Sequence, residues 1–153
     1  MALSSRVKGL ASVANVANPY GNQDLFIAKN VSERLGEFVS RSDKDTKPFA
    51  RQVDAWWLAI GIGVKMGRRT PLPPETVKYN DGGILSSDPW RITHLEALAL
   101  AEEGADVINS PGQVIRIASE YANTGLQWLI DEMLGEAEPT LTVINSIAEY
   151  LPT

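Results

Sequence analysis

Cysteine is missing from all 153 residues, and histidine occurs once, as His94. The first absence excludes disulfides, thiolate nucleophiles, iron–sulfur clusters and cysteine-ligated zinc. The second leaves a single imidazole for any zinc site or Ser-His-Asp arrangement. No apolar run approaches the roughly 18 residues that a membrane-crossing helix needs. Arg6 and Lys8 lie near the start, but the apolar segment of a signal peptide does not follow them. These absences predict a cytoplasmic chain with no membrane contact, no cofactor, no metal ligand set and no catalytic residue. Such a chain acts by binding partners and not as an enzyme.

Hydrophobic residues make up 44% of the chain and charged residues 22%, which suits a folded domain. The length allows one core and little more. The net charge of −5 is unevenly spread: residues 1–70 hold 11 Lys/Arg against 6 Asp/Glu, and residues 71–153 hold 3 against 13. A basic front and an acidic back predict two electrostatic faces with different partners.

Residues 1–24 are rich in Ala, Ser, Asn and Gly without a sustained period and read as a mobile N-terminal arm. Residues 25–153 read as a single helical domain. Leu25–Ala28 is a short apolar run with strand character. Asn30-Val31-Ser32-Glu33 has capping-box spacing, and Val31, Leu35, Phe38 and Val39 continue one helical stripe. The most apolar helix is expected over Pro48–Met66, with Gly67 ending it and Gly61 and Gly63 admitting another backbone. Arg68 to Pro74 must run extended, because its prolines cannot continue a helix. Thr76–Tyr79 alternates as a strand, paired with Leu25–Ala28 or Ile84–Leu85, and Asp81-Gly82-Gly83 is a turn signal. Thr93–Glu96 is a second capping box, which sets His94 at the first helical position before Gly104 stops that helix. Ser110-Pro111-Gly112-Gln113 starts a long helix carrying Gly125 inside it, and Thr140 starts the last. The predicted fold is mainly α: a compact bundle of about five helices with at most a short two- or three-stranded β element.

Lys47, Arg51, Lys65, Arg68 and Arg69 form the densest basic grouping. Cations near a helix C-terminus offset its dipole, and they also suit phosphates or an acidic protein surface. Trp56 and Trp57 stand about 100° apart on their helix, so one is expected in the core and the other on a neighbouring element or a protein interface. The glycines at 61, 63 and 67 lie within and at the end of a helix, the wrong context for a phosphate loop. Glu102-Glu103 and Asp131-Glu132 are adjacent pairs that diverge on a helix and read as solvated faces. Two alternatives remain at this level. The order strand–helix–helix matches a ribbon-helix-helix DNA-binding dimer, and His94 with carboxylates would be the core of a small metal-dependent enzyme.

Lys47-Pro48-Phe49, the segment Val53 to Val64 and Gly67 to Leu72 together resemble the DNA phosphorothioation (Dnd) system-associated protein four family. His94–Gly104, Ile117–Leu126 and residues 129–134 are similar to the same pattern, so the likeness spans about residues 25–150. The Trp56-Trp57 pair and the N-terminal arm depart from that pattern. The resemblance implies a prokaryotic protein encoded near DNA-modification or antiphage genes, and the leading expectation is a non-enzymatic accessory subunit of such a defence system. Together with the basic grouping and the N-terminal arm, it leads us to expect protein subunits of a defence complex, DNA through its backbone phosphates, and a second copy of the chain as partners. The resemblance implies no catalytic residue.

Overall fold

Five α-helices, three short 3-10 turns and one two-stranded antiparallel sheet make up the computed structural model, which describes residues 18–43 and 47–150. In chain order these are β1 (Asp24–Ala28), α1 (Lys29–Leu35), α2 (Gln52–Met66), β2 (Thr76–Asp81), α3 (Trp90–Glu103), α4 (Pro111–Met133) and α5 (Pro139–Tyr150). The mainly α architecture is thus as the sequence predicts, with the β element reduced to two strands.

Helix α4 is the axis. Leu126, Leu129, Ile130 and Met133 on it are at most 2% exposed, and α2 crosses it over their upstream turns. Two glycines make that crossing close. A Cβ on Gly63 would lie 2.3 Å from the carbonyl oxygen of Tyr121, and one on Gly125 would lie 1.9 Å from that of Ala59. Each helix therefore presents bare backbone to the other. Gly61, expected to share this role, faces solvent with nothing within 4 Å of its Cβ position.

Strand β1 pairs with β2, Leu25 opposite Asn80 and Ala28 opposite Thr76, with an irregularity between Leu25 and Phe26. Leu25 and Ile27 point into the core while Asp24 and Phe26 face out. The segment Ile84–Leu85, the other expected partner, is a 3-10 turn instead.

Several helix starts differ from expectation, each for a local reason. Helix α1 begins directly after the strand, at Lys29, with Ala28 as cap and no side-chain capping bond. Asn30 is therefore inside it, because the Lys29 amide is still held by the Glu75 carbonyl at 3.1 Å. Helix α2 starts at Gln52 rather than Pro48: Phe49 is extended, its carbonyl accepting from the Ser40 amide at 2.8 Å. Helix α3 starts at Trp90, since Pro89 already has helical torsions and Arg91 donates its amide to the Asp88 carbonyl at 2.9 Å. His94 thus lies in the second turn, where the dipole argument no longer applies. Ser110 is at the cap of α4 with Pro111 next, but its hydroxyl makes no capping bond, and the side-chain amide of Gln113 donates to the Glu103 carboxylate instead of reaching back to the cap.

Residues 18–23, assigned to the arm from sequence, belong to the folded unit. Tyr20 is 1% exposed and donates its hydroxyl to Glu96 at 3.0 Å, and the Asn18 amide reaches the Gly82 carbonyl at 2.6 Å. The rest of the expected arm, residues 1–17, lies outside the described residues, as does the 44–46 part of the polar loop.

Candidate functional site

Gly67 takes the left-handed conformation (φ 64°) that only glycine adopts freely, and it ends α2. The Arg68 amide returns to the Gly63 carbonyl at 3.1 Å and turns the chain sharply. The proline-rich strap that follows has few donors of its own, so α4 holds it. The Thr70 amide bonds the Glu120 carbonyl, the Thr70 and Thr124 hydroxyls meet at 2.7 Å, and the Asn123 amide donates to both the Thr70 and Pro71 carbonyls.

This turn separates two adjacent arginines. Arg69 folds inward: its guanidinium bonds Glu120 at 2.8 and 3.0 Å and Glu102 at 3.1 Å, and it lies 5.9 Å from the Tyr121 ring centroid. The Tyr121 hydroxyl donates to Glu102 at 2.6 Å. That bond, joined by the hydrogen bond and charge of the nearby Arg69, holds the Glu102 carboxyl below its ordinary pKa against the opposing effect of burial. Arg68 projects outward, exposed, without a salt bridge among the described residues.

Arg51, at the other end of α2, is also committed within the chain. It grips Asp54 at 2.7 and 3.0 Å and reaches Asp88 at 3.2 Å, while the buried Arg91 bonds the same Asp54 at 3.1 Å. Burial pushes the Asp54 carboxyl up, but the bonds from Arg51 and Arg91 outweigh it and lower its pKa. The five basic positions are therefore not one cluster. Lys47 and Arg51 precede α2, whereas Lys65, Arg68 and Arg69 stand at its far end, about 22 Å away along a helix of 15 residues.

The outward side of the strap borders a groove that sequence reading missed. Asn123, Gln127 and Asp131 follow one another at four-residue intervals along α4. Gln127 lines three adjoining hollows: one with Asn30 and Arg34 of α1, one with Lys29 and the prolines of the strap, and one with Arg68 and Trp128. The middle hollow is an open cleft of about 640 Å³. Lys29 at the middle cleft, and Arg34 and Arg68 each at one of the flanking hollows, are exposed and make no salt bridge among the described residues; Glu75 lines the middle cleft and Asp131 both flanking hollows. Lys65 is likewise exposed, in the last turn of α2. The available signal was the polar line 123–127–131, at four-residue intervals along one side of α4.

Trp56 is 1% exposed and packs 6.1 Å from the Tyr79 ring. Trp57 reaches the surface, edge-on to Trp90 at 5.4 Å and His94 at 6.0 Å, and Arg91 lies 5.3 Å from both indoles. Beside them Ile60, Val64 and Leu98 line a hollow of about 250 Å³. Among the described residues no three of His, Asp and Glu are grouped so as to hold a metal ion. None of the helices among them is long and apolar enough to cross a membrane. The strand of a ribbon-helix-helix protein pairs with a second copy, but β1 is paired within its own chain, and its inner face is core.

Fold and site together define a small helical protein built on a two-helix crossing, with a small sheet at its side and a polar groove along its longest helix. The chain belongs to the DNA sulphur modification system-associated protein 4 family, whose model matches residues 27–150. No curated protein and no solved structure matches it.

Proposed function

We propose that this protein is a non-enzymatic accessory subunit of a bacterial DNA sulphur-modification and antiphage defence system, acting in the cytoplasm. It works by contacts with the other protein subunits and with DNA backbone phosphates. The family membership supports the system. One observation carries the phosphate contact: Lys29, Arg34 and Arg68 ring the Gln127 groove without internal ion partners, whereas Arg51 and Arg69 are tied up inside the fold. Cations on a rigid rim, beside amides and hydroxyls, suit a phosphodiester backbone and read no base sequence. On the protein side, Trp57 with Trp90 offers an aromatic anchor of the kind that dominates interfaces.

The test is duplex DNA binding followed by fluorescence anisotropy across a salt series. Wild type binds with an affinity that falls with salt, and Arg34→Gln/Arg68→Gln lowers the log–log slope by about 2, near 1 per lost phosphate contact. Equal binding by wild type and the double variant would remove the DNA half of the reading. Affinity purification of wild type and Trp57→Ala, with mass spectrometry of the system's proteins, tests the other half.

A further inference from the structure

Helix α5 lies on the body of the protein by one side and turns an equally apolar side to water. Pro139, Val143 and Ser146 face inward and are buried, and the Ser146 hydroxyl donates to Glu132 at 2.6 Å. Outward, Leu141 is 50% exposed and Ile144 58%, with Ala148 exposed one turn further on. Spacings of three and four residues place these three side chains in a single stripe. Single exposed aliphatics are common on protein surfaces, but three aligned over two turns of one helix mark a contact face.

Charge selects what covers it. From residue 117 to residue 153 the chain has six carboxylates and neither lysine nor arginine. Glu138 stands three residues before Leu141 and Glu149 one after Ala148, both exposed and without a salt bridge among the described residues. A second copy would set carboxylates against carboxylates. Anionic lipid and DNA would meet the same repulsion. A cationic partner gains attraction at the edge and burial at the centre.

We propose that the Leu141–Ile144–Ala148 stripe docks a cationic amphipathic helix of a partner protein. The partner's leucine-type side chains cover the stripe, and its lysines or arginines meet Glu138 and Glu149. The surface is on α5, away from the cationic rim of the groove, and does not depend on the phosphate reading.

The full chain is titrated with three labelled helix-forming peptides of one length. The first alternates leucine and lysine in amphipathic order, the second has glutamate for lysine, and the third has serine for leucine. The Leu/Lys peptide alone binds, and amide shifts centre on residues 139–150. Leu141→Ser/Ile144→Ser weakens it by about tenfold, as loss of a central apolar anchor should. Glu138→Gln/Glu149→Gln weakens it by about threefold and flattens the salt dependence. Unchanged affinity in both variants, equal binding of either control peptide, or no binding by wild type at low salt overturns the proposal. So does a wild-type dimer in sedimentation that Ile144→Ser dissolves, since that assigns the face to a second copy.

Discussion

The crossing of α2 on α4 and the seating of α5 on the same helix are two solutions to one problem, burying an apolar helix side. At the first, Gly63 and Gly125 remove the side chains that would hold the backbones apart, so the helices interlock. At the second, α5 covers α4 with few buried residues and leaves Leu141 and Ile144 in water. The difference separates stability from availability: the faces that interlock at the crossing have no surface to give, while the loosely seated helix keeps an apolar side open for another molecule.

Substitutions that break this contrast should differ most at the crossing. Gly125→Ala drives a methyl into the Ala59 backbone, which cannot rotate away, and should cost about 3 kcal/mol in urea unfolding. Removing the clamp beside the crossing is milder. Arg69→Met frees Glu120 and Glu102 of their cation and should cost about 1–2 kcal/mol at neutral pH.

The same clamp has a pH signature. Glu102 is held below its ordinary value of 4.5, so its contribution is present above that pH and lost as pH falls through the lower folded value. Unfolding measured from pH 7 to about pH 3 should show wild type losing stability more steeply in acid than Arg69→Met. In that variant only the Tyr121 bond still depresses the carboxyl. Parallel acid slopes would break the assignment.

Smaller effects sharpen the comparison from the open side. Gly61→Ala, on α2 but clear of α4, should raise stability by about 1 kcal/mol, opposite in sign to Gly125→Ala. Ile144→Ser should leave the unfolding free energy within about 0.5 kcal/mol, because the side chain is already solvated. A large loss there would show that α5 is buried more completely than its exposure indicates.

Much of the fold was readable locally. The stops at Gly67 and Gly104, the proline start of α4 and the apolar stripes of α2 and α4 all follow from torsional preference and helical period. The caps were the weak point. Asn30 and Thr93 had suitable spacing, yet pairing of β1 and the torsions of Pro89 began those helices earlier. The candidate site was only half legible. Lys65 and Arg68 are exposed near the end of α2 as a charge count suggests, but Arg51 and Arg69 look identical in sequence and point into carboxylates: beyond the neighbouring Asp54, these come from 33 to 51 residues away.

By itself the sequence determined which segments are helical and that the chain has one imidazole and no thiol, because these depend on residue type and on neighbours a turn away. Tertiary structure alone decided which arginines are occupied, that Gly63 and not Gly61 admits a second backbone, and that Lys29, Arg34 and Arg68 share one groove. Those outcomes depend on which distant segments α4 brings within a few ångströms, and no local pattern encodes that distance.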